Sequence, residues 1–262
     1  MSSLDEKRVY SEKTGSDRAF LATGAGVVRV RVSGDLVGEF GLVERCVARD
    51  VTASEGRLAV ATDEDVLVSA GEAFEGTDFG PADAVGFADG TLVAAGEGRV
   101  AVRRREGWES VGDLADVRAV DGHLLATADG VFRLADGGLT NVGLADAHDV
   151  TARGVPLAAT GEGLYALGNG WMDLLDGDFR VVATDGDRAH AATPGSLSVR
   201  ESEGGEWTAV DLPATDPVAG VAYGATTYAV TGTGTFLVED REDGEWRTRA
   251  LGVPDVRGIA VV

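Results

Sequence analysis

The chain is short of lysine, cysteine, proline and long apolar runs, and each shortage narrows what it can be. Only Lys7 and Lys13 stand against 21 arginines, while 26 Asp and 18 Glu bring the net charge to −21 over 262 residues. Basic clusters are almost absent: Arg103-Arg104-Arg105 is flanked by Glu106 and Glu109. Phosphate backbones need a basic footprint, so nucleic acid is a poor partner. One cysteine, Cys46, excludes an internal disulfide and a zinc site of Cys type, and reads as a small buried hydrophobe. No stretch approaches the roughly 18 apolar residues of a membrane helix. The start, Met1-Ser-Ser-Leu-Asp-Glu-Lys-Arg, has neither a secretory apolar core nor a twin-arginine pair, so a cytoplasmic location is expected. High negative charge keeps a protein dispersed in concentrated salt, where screening makes self-repulsion tolerable. Many Asp with almost no Lys therefore predicts a cytoplasm of molar salt.

What is present is a repeat. Apolar residues, then Ala-Thr or a relative, a Gly-containing turn and a further apolar strand recur seven times. Aligned on Thr23, Thr62, Ala95, Thr127, Thr160, Thr193 and Thr231, the spacings are 39, 33, 32, 33, 33 and 38 residues. The fourth copy is the clearest. Asp116-Val-Arg-Ala-Val, His123-Leu-Leu-Ala-Thr, Val131-Phe-Arg-Leu and Leu139-Thr-Asn-Val are separated by Asp-Gly turns, the favoured two-residue hairpin connection. Seven four-stranded antiparallel units predict an all-β, seven-bladed β-propeller filling residues 1–262 as one domain, since radial repetition leaves few edges exposed. The terminal Asp255-Val-Arg-Gly-Ile-Ala-Val-Val262 reads as a first strand without a successor, expected to close the ring on the N-terminal blade. Arg8-Val9-Tyr10-Ser11 is either that blade's own strand or an extra edge.

A second register runs through Asp50, Asp83, Asp116 and Asp149, 33 residues apart, then Asp216 and Asp255. Each is expected to open the innermost strand of its unit at one mouth of the central channel. Three residues on lie Ala53, Gly86, Ala119, Ala152, Ala219 and Gly258, small side chains that suit the narrow end of each wedge. The next unit offers Val182 where Asp is expected, which predicts an irregular blade.

These carboxylates have two readings. Converging, they suit Ca²⁺ or Mg²⁺, which prefer oxygen ligands; recurring in nearly every blade, they suit capping of the backbone before each strand. His148, beside Asp149, is the histidine to consider for general acid–base work, whereas His123 and His190 read as structural. Arg118 and Arg257, each two residues after a repeated Asp, either bind a carboxylate or phosphate or pair with Asp of adjacent blades. Trp108, Trp207 and Trp246 recur after Gly and read as anchors of outer strands, with sugar stacking as the other possibility. Gly24-Ala-Gly26, Gly96-Glu-Gly98, Gly161-Glu-Gly163 and Gly232-Thr-Gly234 lie between strands with no helix following, so they are turns and not dinucleotide loops.

The unit Leu124-Leu-Ala-Thr-Ala-Asp-Gly-Val-Phe-Arg-Leu134, followed by a strand often opened by Trp, resembles sialidase-like and photosystem-assembly-type propeller repeats. With the acidic composition, the whole chain resembles an uncharacterised haloarchaeal β-propeller family. The sialidase Asp box, Ser-x-Asp-x-Gly-x-Thr-Trp, is incomplete in Thr127-Ala-Asp129-Gly130-Val, so glycosidase chemistry does not carry over. The expected function is a non-catalytic scaffold for an unidentified protein partner, with an enzyme or a small-molecule or metal binder at the acidic mouth as the alternative.

Overall fold

The computed structural model describes residues 16–71, 73–240 and 243–262. Seven four-stranded antiparallel sheets follow one another around a central axis. Blades 2 to 7 span 48–76, 84–113, 117–143, 147–176, 181–210 and 218–250, each running from its innermost to its outermost strand. Blade 1 is composite: Val256–Val261 is its innermost strand, hydrogen-bonded to Ser16–Thr23, then Gly26–Ser33 and Leu36–Glu44. The C-terminal strand thus closes the ring, with Phe20 opposite Ala260 and Leu21 opposite Ile259. Arg8-Val9-Tyr10-Ser11 lies outside the described residues.

Strand composition follows from position in the wedge. Second strands are covered on both faces by neighbouring blades, and accordingly read as unbroken apolar runs: Leu58 to Ala61 and Leu157 to Ala159 are all buried. Outermost strands face water and hold only half-buried or exposed residues, as in Trp171–Asp176. Core clusters fill the seams between blades; one joins Leu21, Val28 and Val30 of blade 1 to Tyr228, Val230 and Phe236 of blade 7. The inner strands approach closely at the small positions. A Cβ on Gly86 would lie 2.4 Å from the Val120 carbonyl oxygen in the next blade, so only glycine fits there.

The repeated threonine has a local cause. Thr23, Thr62, Thr127 and Thr160 are buried at the end of second strands, and each Oγ1 donates to the carbonyl three residues on, at 2.7, 2.7, 2.9 and 3.0 Å. Each hydroxyl also accepts a backbone N–H of the same turn, which locks the hairpin. Tryptophans tie outer strands to the preceding blade: Trp108 Nε1 donates to the Thr77 carbonyl at 3.0 Å and Trp171 Nε1 to that of Val142 at 2.9 Å. Trp246 is buried in the seam between blades 6 and 7.

Blade 6 corrects one expectation. It is a complete four-stranded sheet, and its inner strand Val181–Thr184 pairs without the bulge that shifts the register in blades 1, 2, 4, 5 and 7. Among the described residues no helix is long and apolar enough to cross a membrane.

Candidate functional site

The innermost strands enclose a channel of about 340 Å³. Arg118, His148, Arg180 and Arg257 line it where the strands begin; Asp50 and Asp149 lie on its wall; Asp121, Arg153 and Tyr223 mark the end where the strands leave.

The six repeated aspartates do not form one ring. Asp83, Asp116 and Asp255 immediately precede their strands, and Asp216 stands two residues before its own. Asp50 and Asp149 instead lie inside Ala48–Ser54 and Ala147–Thr151, past a bulge, in the position that Ala119 and Gly258 hold elsewhere. The equivalent of Asp116 in blade 5 is therefore Asp146, and the 33-residue spacing that selected Asp149 is coincidental. Asp116, Asp146 and Asp255 share a left-handed backbone, with φ of 51°, 46° and 57°. Aspartate tolerates that conformation better than most side chains, which accounts for its recurrence there without any ligand. Capping as first expected, before each strand, is not what these rim residues do.

At the rim, charges pair across blade boundaries. Arg49 of blade 2 donates to Asp83 of blade 3 at 2.6 Å, and Arg118 of blade 4 to Asp146 of blade 5 at 2.7 Å. Arg257 differs from the expected pairing with a neighbour: it forks onto Asp255, just before its own strand, at 2.7 and 3.2 Å. Asp216 accepts from the Thr233 hydroxyl at 2.9 Å. The Arg118 hydrogen bond holds the Asp146 carboxyl below the usual range.

His148 is clamped. Its Nδ1 faces Arg118 Nη1 at 2.8 Å and Arg180 Nη1 at 3.3 Å, one guanidinium from each flanking blade. Both are obligate donors, so Nδ1 is the bare acceptor and the ring proton sits on Nε2. Burial, then Arg180 and Arg118, pulls the His148 pKa down, against Asp146 and Asp178. A neutral imidazole is favoured. The sequence pointed to Arg118 and His148; Arg180 and Asp178 were missed because blade 6 lacks the Asp that marked its relatives, and Asp146 because the spacing of 33 pointed to Asp149 instead.

The wall aspartates are staples. Asp149 Oδ1 accepts Val150 N–H and Oδ2 accepts Val182 N–H of blade 6, both at 2.9 Å. Asp50 does the same with Val51 at 2.8 Å and Val85 of blade 3 at 2.9 Å. Asp121 accepts Ala152 N–H of blade 5 at 2.7 Å. Enclosure by the blades outweighs these bonds and pushes Asp50 up to about 6 and Asp149 up to about 7, the latter also raised by Asp50 and Asp121.

Other chemistry lies between blades 6 and 7, beside a cavity of about 590 Å³. Arg188 donates to Glu239 at 2.6 Å, to Glu201 at 3.0 Å and to Thr227 at 3.1 Å. His190 is fully buried, its Nδ1 2.7 Å from the Tyr223 hydroxyl, and burial with Arg188 takes its pKa down to about 4. It is structural, as expected. His123 is exposed, and its Nε2 lies 3.0 Å from an Asp89 carboxylate oxygen. Cys46 is half-buried, and burial with Glu44, Asp63 and Glu64 pushes its thiol up to about 11. Among the described residues no three His, Cys, Asp or Glu side chains come together to hold a metal ion.

Solved structures share this architecture at low identity. A chain of a nidogen/laminin complex matches with a TM-score of 0.61 at 10% identity, over 94% of this chain and 98% of that one. Apo AztD from Citrobacter koseri matches with 0.64 at 10% identity over the same shares. The extracellular domain of the BT4673 hybrid two-component system from B. thetaiotaomicron gives 0.65 at 14% identity, over 80% of this chain and 35% of that one. These likenesses concern the fold alone. No curated protein matches the chain. The model of the HVO_0234-like β-propellers spans residues 3–262, so the chain, with its seven blades and its C-terminal closing strand, belongs to the HVO_0234-like β-propeller family.

Proposed function

We propose that this propeller is a non-catalytic platform that presents its channel rim to a protein partner in a salt-rich cytoplasm. One observation carries the reading: the recurring charged residues are committed to the fold. Arg49 and Arg118 pair with Asp of the next blade, while Asp50, Asp121 and Asp149 hold its backbone. A group fixed in an ion pair or between two N–H donors is poorly placed to transfer protons, but it stiffens the surface around it. The clamped, neutral His148 fits the same role. The acid-rich, lysine-poor composition supports work in molar salt.

The test is recovery of the tagged full chain in molar potassium chloride beside an Asp116→Arg variant. Asp116 is an exposed rim residue with no side-chain hydrogen bond to the described residues, so its replacement breaks no blade contact; because arginine is strained at its φ of 51°, a thermal melt beside the wild type checks that the variant is folded. A stoichiometric protein that accompanies the wild type and is lost from the variant is the expected result. A wild-type chain that elutes alone, at the mass of a monomer, overturns the reading.

A further inference from the structure

The channel contains two sets of groups with capacity left over, and they are complementary. Arg118 and Arg180 both direct a nitrogen at the one lone pair of His148 Nδ1, at 2.8 and 3.3 Å. A neutral imidazole nitrogen accepts one strong hydrogen bond, so two guanidiniums are crowded against an acceptor that satisfies only one. Their own carboxylates, Asp146 and Asp178, take a single nitrogen each, at 2.7 Å. Among the described residues Nε and Nη2 of Arg118 and Nε of Arg180 make no hydrogen bond, and both arginines line the channel. A ligand carboxylate, with two oxygens and four lone pairs, would accept from both forks at once.

Deeper in the channel, Asp149 of blade 5 and Asp50 of blade 2 have the opposite deficit. Each oxygen accepts one backbone N–H, leaving a lone pair on each, and no arginine, lysine or histidine donates to either carboxyl among the described residues. Burial in the channel wall raises the pKa of both, and for Asp149 the nearby Asp50 and Asp121 add to it. A purely anionic ligand would face these carboxylates and be repelled; a purely cationic one would face the arginines. A molecule carrying both charges meets neither penalty. The channel's 340 Å³ lies within the range typical of small-ligand pockets.

We propose that the channel binds a small zwitterion of the free amino acid class, its carboxylate on Arg118 and Arg180 and its ammonium on the wall carboxylates Asp149 and Asp50. The zwitterion site is tested on the isolated chain and the docking surface by partner recovery, so either proposal can fail alone.

The test uses the full chain in molar potassium chloride. Saturation-transfer NMR with a mixture of the common L-amino acids selects binders, and calorimetry compares each with acetate and methylamine, which carry one charge apiece. Binding of at least one amino acid about tenfold tighter than either half-molecule is expected, as is a matching shift of the His148 imidazole nitrogens while those of His123 stay fixed. Arg180→Gln should weaken binding about tenfold, and Arg105→Gln, on the exposed outer face, should leave it unchanged. Three results overturn the proposal: no amino acid binds, acetate binds as tightly as the zwitterion, or the His148 signals stay still at saturation. The last two are read on the wild type, so they do not depend on a variant folding.

Discussion

Asp146 and Asp149 stand three residues apart in the sequence, yet one lies on the rim of the channel and the other on its wall. The rim carboxylate meets solvent and an arginine, and its pKa falls. The wall carboxylate is enclosed by neighbouring blades, with two backbone N–H groups as partners, and its pKa rises to about 7. The same contrast separates Asp83 from Asp50 in position: Asp83 takes Arg49, whereas Asp50 bridges Val51 and Val85. Residue type does not set the behaviour of these acids. The depth of burial and the sign of the nearest charge do.

The largest effect that would break this contrast is on the pH dependence of stability. An acid raised in the folded state binds more protons there than in the unfolded chain, so its stabilising contribution is present at low pH and lost as pH rises. For Asp149 the window runs from its ordinary 3.8 to about 7, and for Asp50 from 3.8 to about 6. Asp149 alone should account for a loss on the order of 4 kcal/mol across that window. Denaturant midpoints measured from pH 4 to pH 8 should show the decline, and Asp149→Asn should flatten it; an equally steep decline in the variant would remove the distinction between wall and rim.

Next in size is the staple itself. Asp149→Ala at pH 5 leaves the N–H groups of Val150 and Val182 without their acceptor, and should cost about 2–4 kcal/mol by chemical denaturation. A cost below about 0.5 kcal/mol would mean that channel water replaces the carboxyl. At the rim, His148 should titrate below 6.5 by NMR, and Arg180→Gln should move its midpoint upward because one adjacent positive charge is removed. The smallest change is expected for Arg118→Gln or Asp146→Asn. That ion pair is solvent-exposed, so the loss should stay within about 1 kcal/mol and shrink further as salt is raised.

The architecture was legible because it repeats. A threonine that locks each hairpin and an apolar second strand covered on both faces leave the same signature in unit after unit, and the unpaired last strand announces the closure. The site was only half legible. Arg118 and His148 stand in the repeat and were found, but their companions Arg180 and Asp178 come from the blade without a repeated Asp. Asp149 was found for the wrong reason, since segments linking successive blades vary in length and an Asp three residues past the true equivalent restored an apparent period of 33. Pairs such as Arg188 and Glu239, 51 residues apart, or His190 and Tyr223, 33 apart, carry no local signal at all.

The sequence by itself determined the number of units, the hairpins within each and the acidic surface, because hydrogen-bonded turns and alternating burial act over a few residues and are written locally. Only the tertiary structure decided which carboxylates are stapled and which are paired, and which histidine is clamped neutral. Those properties depend on what the neighbouring blade brings to within about 3 Å, and that distance is set by how seven wedges close into a ring.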